Sequence, residues 1–96
     1  MGMASAIQEL EGVLRQRRGQ KPPGSYSAEL FNDPELVQRK IMEEAFEVCL
    51  ELGRAELDQG RLVAEAADLF FHLLVGLVGC DVTFDAVLDE LERRRR

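Results

Sequence analysis

The chain has 96 residues, 46% hydrophobic and 31% charged, which indicates one small globular domain spanning residues 1–96. Its formal net charge of −6 argues against a nucleic-acid-binding protein, since such a protein presents a basic surface. The most apolar run, residues 69–78, is about half the ~20 residues that a membrane-spanning helix needs, so we expect no membrane association. Cys49 and Cys80 lie inside or at the end of apolar helical patterns, which indicates reduced thiols that pack against other apolar residues. We therefore expect a cytoplasmic protein.

The apolar spacing predicts helices along the whole chain and no strand of useful length. Ser5 and Gln8 are spaced as a capping box, which predicts the start of a first helix that ends near Gly19. Residues 19–27 contain two adjacent prolines and two glycines, which favour a loop.

The next three helices carry clear boundary signals. Asp33 followed by proline is typical of a helix start, and this second helix is expected to end at Leu52, before a glycine. A short connection leads to a third helix, predicted over residues 61–79. Thr83 is the expected cap of a last helix.

The third predicted helix is apolar or small at nearly every position except one narrow polar sector. A helix that is apolar on all sides is normally buried, yet the other short helices of one chain cannot surround it. We therefore expect an all-α fold of four to five helices with a central antiparallel hairpin of the second and third helices. Two hairpins would then associate into a helical bundle, as a homodimer or a dimer of dimers, with Gly76 and Ala66 allowing close approach.

Acidic residues in these two helices fall on narrow stripes, written EExxE and ExxD. At ~100° of rotation per residue, Glu44, Glu47 and Glu51 lie within a sector of about 60°. Glu65 and Asp68 share a sector of the next helix. Like charges at these spacings repel by roughly 0.2–0.5 kcal/mol per pair on an isolated helix. A divalent cation held by oxygen ligands would relieve that repulsion.

The alternative is a solvated helix face held by salt bridges, for which Arg39 and Glu43 have suitable spacing. This alternative explains Glu43 well. It explains Glu47 poorly, because no basic residue lies three or four positions away. It also leaves Glu65 and Asp68 without partners on a helix otherwise suited to burial. We favour a metal site, and its candidate ligands are Glu44, Glu47, Glu65 and Asp68.

Carboxylates without paired histidine or cysteine ligands indicate Mg²⁺, with Mn²⁺ as a second possibility. Carboxylate-held Mg²⁺ commonly serves substrates that bear phosphates. The basic residues near Arg18 and Lys21 are then candidates to clamp a polyphosphate, although composition alone slightly favours an ordinary solvated helix end. We expect His72 to form a hydrogen bond with Asp68 or a backbone group rather than to act in catalysis.

These motifs resemble the all-α nucleotide pyrophosphohydrolases of the MazG-like superfamily, and more narrowly the phosphoribosyl-ATP pyrophosphohydrolases. The narrower resemblance depends on the order of the segments Arg17-Arg18, Gly24–Ser27, Glu43–Glu47, Glu65–Leu69 and Val82–Asp85. Two departures concern substrate contacts more than the acids. Met42 replaces the usual glycine, and Gly53 replaces a common lysine.

The resemblance implies Mg²⁺-dependent hydrolysis of phosphoribosyl-ATP to phosphoribosyl-AMP and pyrophosphate, the second step of histidine biosynthesis. It implies that the four carboxylates above bind the metal and that Glu43 orients or deprotonates water. The residues it implies for the nucleotide substrate are Arg18, Lys21, Ser25, Tyr26 and Lys40. Two alternatives stay open: a MazG-like enzyme that removes aberrant nucleoside triphosphates, and a non-catalytic helical module.

Overall fold

A computed structural model describes residues 3–20 and 23–95, and within these ranges the chain contains helices and no strands. The helices are α1 (Met3–Gln20), α2 (Tyr26–Phe31), α3 (Pro34–Leu52), α4 (Gln59–Gly79) and α5 (Phe84–Arg94). The all-α prediction is therefore confirmed. The most extensive packing joins α3 to α4, which form the expected hairpin.

Short polar side chains start the helices, because a side-chain oxygen can accept from an otherwise unpaired N–H group of the first turn. Asp33 accepts from the backbone N–H of Leu36 at 3.1 Å before α3. Asp58 accepts from the N–H of Arg61 at 3.1 Å before α4. Thr83 caps α5 as expected.

Three predicted boundaries are wrong. The third predicted helix starts at residue 61, whereas α4 begins at Gln59, directly after its cap Asp58. The capping box does not mark the start of α1, because that helix begins at Met3 and Ser5 already lies within it. The predicted loop 19–27 ends early, because Ser25 caps the short helix α2 by accepting from the N–H of Ala28 at 3.3 Å. A helix of six residues is too short to show a recognisable apolar period in the sequence.

The core occupies one end of the hairpin, where α1 and α2 cover the start of α3 and the end of α4. Gly76 permits this contact, since a Cβ added there would lie 3.5 Å from the Val37 side chain. Gly76 therefore faces α3 of its own chain rather than a second copy. The buried apolar residues of this core are Leu14, Leu30, Val37, Leu74, Val75 and Val78.

The other end of the hairpin is largely uncovered. Phe46 of α3 and Val63 and Phe70 of α4 are more than half exposed there. By length and composition α4 could cross a membrane, but the core helix of a soluble protein meets the same two criteria. Within the single chain, α4 thus has one buried face and one exposed apolar face, not the complete burial that its sequence predicts.

Candidate metal and substrate site

Glu47 of α3 and Glu65 of α4 face each other across the hairpin. A hydrogen bond with Glu47 is the main reason that the pKa of Glu65 is raised, and burial acts in the same direction. The negative charges of Glu47, Asp68 and Glu51 raise it further. Acidic side chains from α3 and α4 therefore lie close enough to raise one another's pKa values.

Glu44 is buried on α3, directly beside the imidazole of His72 on α4. Its Oε1 atom lies 2.6 Å from Nδ1 of His72. Burial raises the pKa of Glu44, while the charge and hydrogen bonding of His72 partly oppose this increase. Asp68 raises the pKa and Lys40 lowers it, so both residues lie close enough to act on this carboxyl group.

The four proposed ligands fit a cation by donor chemistry, since all four offer carboxylate oxygens. Oε2 of Glu65 is buried and lacks an aligned hydrogen-bond donor within the described residues. Oε1 of Glu44 also lacks an aligned donor, although Nδ1 of His72 lies 2.6 Å away. Oε1 of Glu51 is buried in the same way beside Arg54. Buried carboxylate oxygens of this kind normally require a donor or a cation. In the described ranges, no group of three or more acidic, histidine or cysteine side chains is already arranged to hold a metal ion. The acidic side chains thus approach one another in pairs, and side-chain rotations would be needed to surround one ion.

Glu51 continues the acidic stripe of α3 but has a different environment. Its carboxylate lies 2.8 Å from Nε of Arg54 and 3.3 Å from Nε of Arg61. With only 4% of the residue exposed, Glu51 links the end of α3 to the start of α4. Sequence reasoning placed it on the stripe without finding these partners, because Arg61 comes close only when the hairpin forms.

Glu43, the candidate catalytic residue, is exposed on α3. Of the ion pairs that the described chain forms, none joins Glu43 to Arg39, so the salt-bridge alternative for Glu43 has no support. An exposed carboxylate beside the acidic stripe is free to approach a substrate or a water molecule.

The expected substrate residues are divided between two regions. Lys40 and Tyr26 lie near the acids. Lys40 is close enough to lower the pKa of Glu44, and Tyr26 contacts His72, the neighbour of Glu44. Ser25 caps α2 and lies 3.1 Å from the hydroxyl oxygen of Ser27. Lys21 falls outside the described residues.

Arg18 is not brought to the acids in this chain. Its Nη1 atom donates to the carbonyl oxygen of Val78 at 3.0 Å, in the last turn of α4. Ten residues of helix separate Asp68 from Val78, about 15 Å at 1.5 Å per residue. Within one protomer, Arg18 therefore secures α1 rather than contacting the phosphate position that its sequence suggests.

The main feature that sequence reasoning missed is the contact between His72 and two other helices. Nδ1 also lies 3.0 Å from the backbone oxygen of Asp68, which confirms the expected backbone partner. Nε2 lies 2.8 Å from the hydroxyl oxygen of Tyr26. The only available signal was the position of His72 on the acidic sector of its own helix. Tyr26 packs on α4, where its ring stacks on that of Phe71.

Both cysteines are free and exposed, so the prediction that they pack inside the chain is wrong for the single chain.

Comparison with known proteins gives a match over nearly the whole chain. The family model for phosphoribosyl-ATP pyrophosphohydrolase matches residues 7–95. A phosphoribosyl-ATP pyrophosphatase from Metallosphaera sedula is 42% identical over 98% of this chain and 100% of its own length. A protein of the same name from Cereibacter sphaeroides is 42% identical over 94% of this chain and 86% of its own length.

A longer relative also contains a matching region. The histidine biosynthesis bifunctional protein HisIE of Pyrococcus furiosus is 38% identical over 96% of this chain, and the match covers 42% of that protein. The similarity thus includes both α3 and α4, which carry the acidic residues.

Proposed function

The chain belongs to the phosphoribosyl-ATP pyrophosphohydrolase family, and we infer that it is the hydrolase that converts phosphoribosyl-ATP to phosphoribosyl-AMP and pyrophosphate. This is the second step of histidine biosynthesis, the pathway also named for the bifunctional relative. Water adds across the α–β phosphoanhydride, so one oxygen–phosphorus bond forms while the bond to the departing pyrophosphate breaks. Family membership supports a soluble enzyme acting on a small nucleotide, for which we propose a cytoplasmic location.

Mg²⁺ is the proposed cofactor, with Mn²⁺ able to replace it. The observation that carries this proposal is the facing pair Glu47 and Glu65, in which Oε2 of Glu65 is buried without an aligned donor. With Glu44 and Asp68, this pair would give a site of oxygen ligands only, which suits a hard cation. Bound there, the ion would supply Lewis acidity toward water and offset the charge on the pyrophosphate oxygens.

The chain's own side chains have separate tasks in this proposal. Glu43 is exposed beside the ligands and would accept the proton of the attacking water. Lys40 lies one helical turn before Glu44 and would contact a phosphate oxygen. Ser25 and Tyr26 would shape the substrate pocket through α2. Arg18 and Lys21 remain candidate phosphate contacts. Because Arg18 lies away from the acids of its own chain, it would contact a phosphate bound by a second copy.

A homodimer, or a dimer of two such dimers, is the proposed assembly. The supporting observation is the exposed apolar face of α4, which includes Val63, Phe70 and Leu73. A second copy would cover this face and complete the burial that the composition of α4 predicts. It would also extend the hairpin into a helical bundle.

The purified chain should release pyrophosphate from phosphoribosyl-ATP in the presence of Mg²⁺. A substrate panel with dCTP and dUTP distinguishes this activity from removal of aberrant nucleoside triphosphates. Turnover of dCTP or dUTP with none of phosphoribosyl-ATP would reject our assignment. Glu47→Gln should abolish hydrolysis, whereas Glu92→Gln, which changes an exposed carboxylate on α5, should leave it intact. Hydrolysis by Glu47→Gln, with unaltered Mg²⁺ binding, would instead favour a non-catalytic acidic stripe.

A further inference from the structure

A continuous polar chain connects three helices through one imidazole ring. The hydroxyl oxygen of Tyr26 on α2 lies 2.8 Å from Nε2 of His72 on α4. On the other side of the ring, Nδ1 lies 2.6 Å from Oε1 of Glu44 on α3. The ring is also buried and packs edge-on against Phe71, with their centroids 5.1 Å apart. Both nitrogens therefore have fixed neighbours.

The neighbours of the ring determine which nitrogen carries the hydrogen when the imidazole is neutral. Nδ1 faces two oxygen acceptors, the carboxylate of Glu44 and the carbonyl of Asp68. Nδ1 must therefore be the protonated nitrogen, and Nε2 accepts from the hydroxyl group of Tyr26. A ring flip would break both connections, so the ring orientation is held from two sides.

We propose that His72 is a positioning residue that aims the Glu44 carboxylate toward the cation, and that Tyr26 fixes the ring in this orientation. This inference rests on the metal site proposed above. Ligating carboxylates commonly form hydrogen bonds to a second group, which fixes their orientation before the ion binds. Here the nearest such group is an imidazole, 2.6 Å from Oε1 of Glu44, whose own partner lies on α2. The docking of α2 thus sets the orientation of a ligand contributed by α3.

The first test uses the metal-free protein and does not depend on activity. The chain contains one histidine, so the two ¹⁵N signals of labelled imidazole belong to His72 without ambiguity. At a pH at which the ring is neutral, we expect the Nδ1–H tautomer. Replacing Tyr26 with Phe should shift the Nε2 signal, because the ring stacking on Phe71 is kept while the hydroxyl donor is lost. An Nε2–H tautomer in the wild-type protein would overturn the proposal.

The second test compares two substitutions at one position by Mg²⁺ titration calorimetry of the full chain. His72→Asn keeps an N–H donor near the place of Nδ1, while His72→Gln places its amide near Nε2 and loses the donor to Glu44. We expect Mg²⁺ affinity to fall by about tenfold or more in His72→Gln. His72→Asn should keep most of the wild-type Mg²⁺ affinity. A purely structural role would lower the stability of both variants and leave their Mg²⁺ affinities alike, which would contradict the proposal.

Failure of this inference differs from failure of the proposed metal site. If Glu47→Gln and Glu65→Gln bind Mg²⁺ as the wild type does, the metal site itself is rejected. If those two variants lose Mg²⁺ while both His72 variants bind it normally, the metal site stands and the positioning role is rejected. Glu92→Gln serves as the matched carboxylate control in both experiments.

Discussion

Arg18 and Asp81 form an ion pair that ties the end of α1 to the turn after α4. Nη1 of Arg18 lies 2.6 Å from Oδ1 of Asp81. The same nitrogen also donates to the carbonyl oxygen of Val78 in the last turn of α4, where a cation is favoured by the helix dipole. Asp81 itself has a positive φ of 59°, a conformation that aspartate and asparagine tolerate better than most residues.

Asp81→Asn should lower stability at neutral pH without straining this turn. The hydrogen bond and charge of Arg18 lower the pKa of Asp81 from its ordinary value of 3.8. Because the pKa is lower in the folded state, the stabilisation is present above pH 3.8 and is lost as the pH falls through the folded value. Urea midpoints of wild type and variant should therefore differ at neutral pH and converge in acid. Asp89→Asn, at an exposed position on α5, is the control, and identical midpoints at neutral pH would contradict the prediction.

Glu51→Ala should destabilise the hairpin by roughly 1 kcal/mol, the upper end for ion pairs whose arginines reach solvent. The carboxylate is buried between Arg54 and Arg61, and both arginines are partly exposed, which limits the loss. Chemical denaturation measures this change. Glu56→Ala, in the exposed connection between α3 and α4, should have little effect. Equal free energies of unfolding for the two variants would exclude a structural role for the Glu51 bridge.

Removal of Mg²⁺ with a chelator should abolish hydrolysis, and added Mg²⁺ should restore it. Glu47→Gln and Glu65→Gln should each weaken Mg²⁺ binding by about a hundredfold or more, since each removes a charged oxygen ligand. The same substitutions should not destabilise the metal-free protein, because each removes one of two facing negative charges. Calorimetric titration and thermal unfolding measure these two effects. Wild-type Mg²⁺ affinity in both variants would exclude the site.

Phe70→Glu should convert the proposed dimer into a monomer. The side chain is 55% exposed in the single chain, so its replacement leaves the buried core in place while adding a charge to the apolar face of α4. Analytical ultracentrifugation measures the mass directly. Val13→Glu, on the exposed side of α1, is the matched control and should retain the wild-type mass. A monomeric wild-type protein would show that no second copy covers α4.

Gly76→Ala should stabilise the chain by roughly 0.5–1 kcal/mol, because alanine loses less conformational entropy than glycine within a helix. The added methyl group would meet Val37 at 3.5 Å and Ile41 at 3.7 Å, which are ordinary contact distances. Gly24→Ala should have the opposite effect, because Gly24 has a positive φ of 76°. Urea denaturation compares the two variants. A destabilised Gly76→Ala variant would show that α3 and α4 cannot accept even one methyl group here.

The longer helices could be predicted because their apolar spacing and caps are local signals. Asp33 and Thr83 cap the helices that the sequence assigns to them. The short helix α2 could not be predicted in this way. Its six residues give almost no helical period, and its buried position depends on packing against α1, α3 and α4. The sequence predicts Ser25 to be a substrate residue, and in the structure its hydroxyl group caps α2.

The order of residues along the chain is enough to place the carboxylates on one sector of each hairpin helix, since helical rotation fixes the relative directions of residues three and four apart. Which side chains meet across helices depends instead on how the helices pack. Glu47 faces Glu65, Glu44 contacts His72, and Arg18 lies at the far end of α4. These contacts depend on how far α3 is shifted along α4 and on where α1 and α2 dock. Those quantities are set by packing of the shared core, which no local pattern encodes.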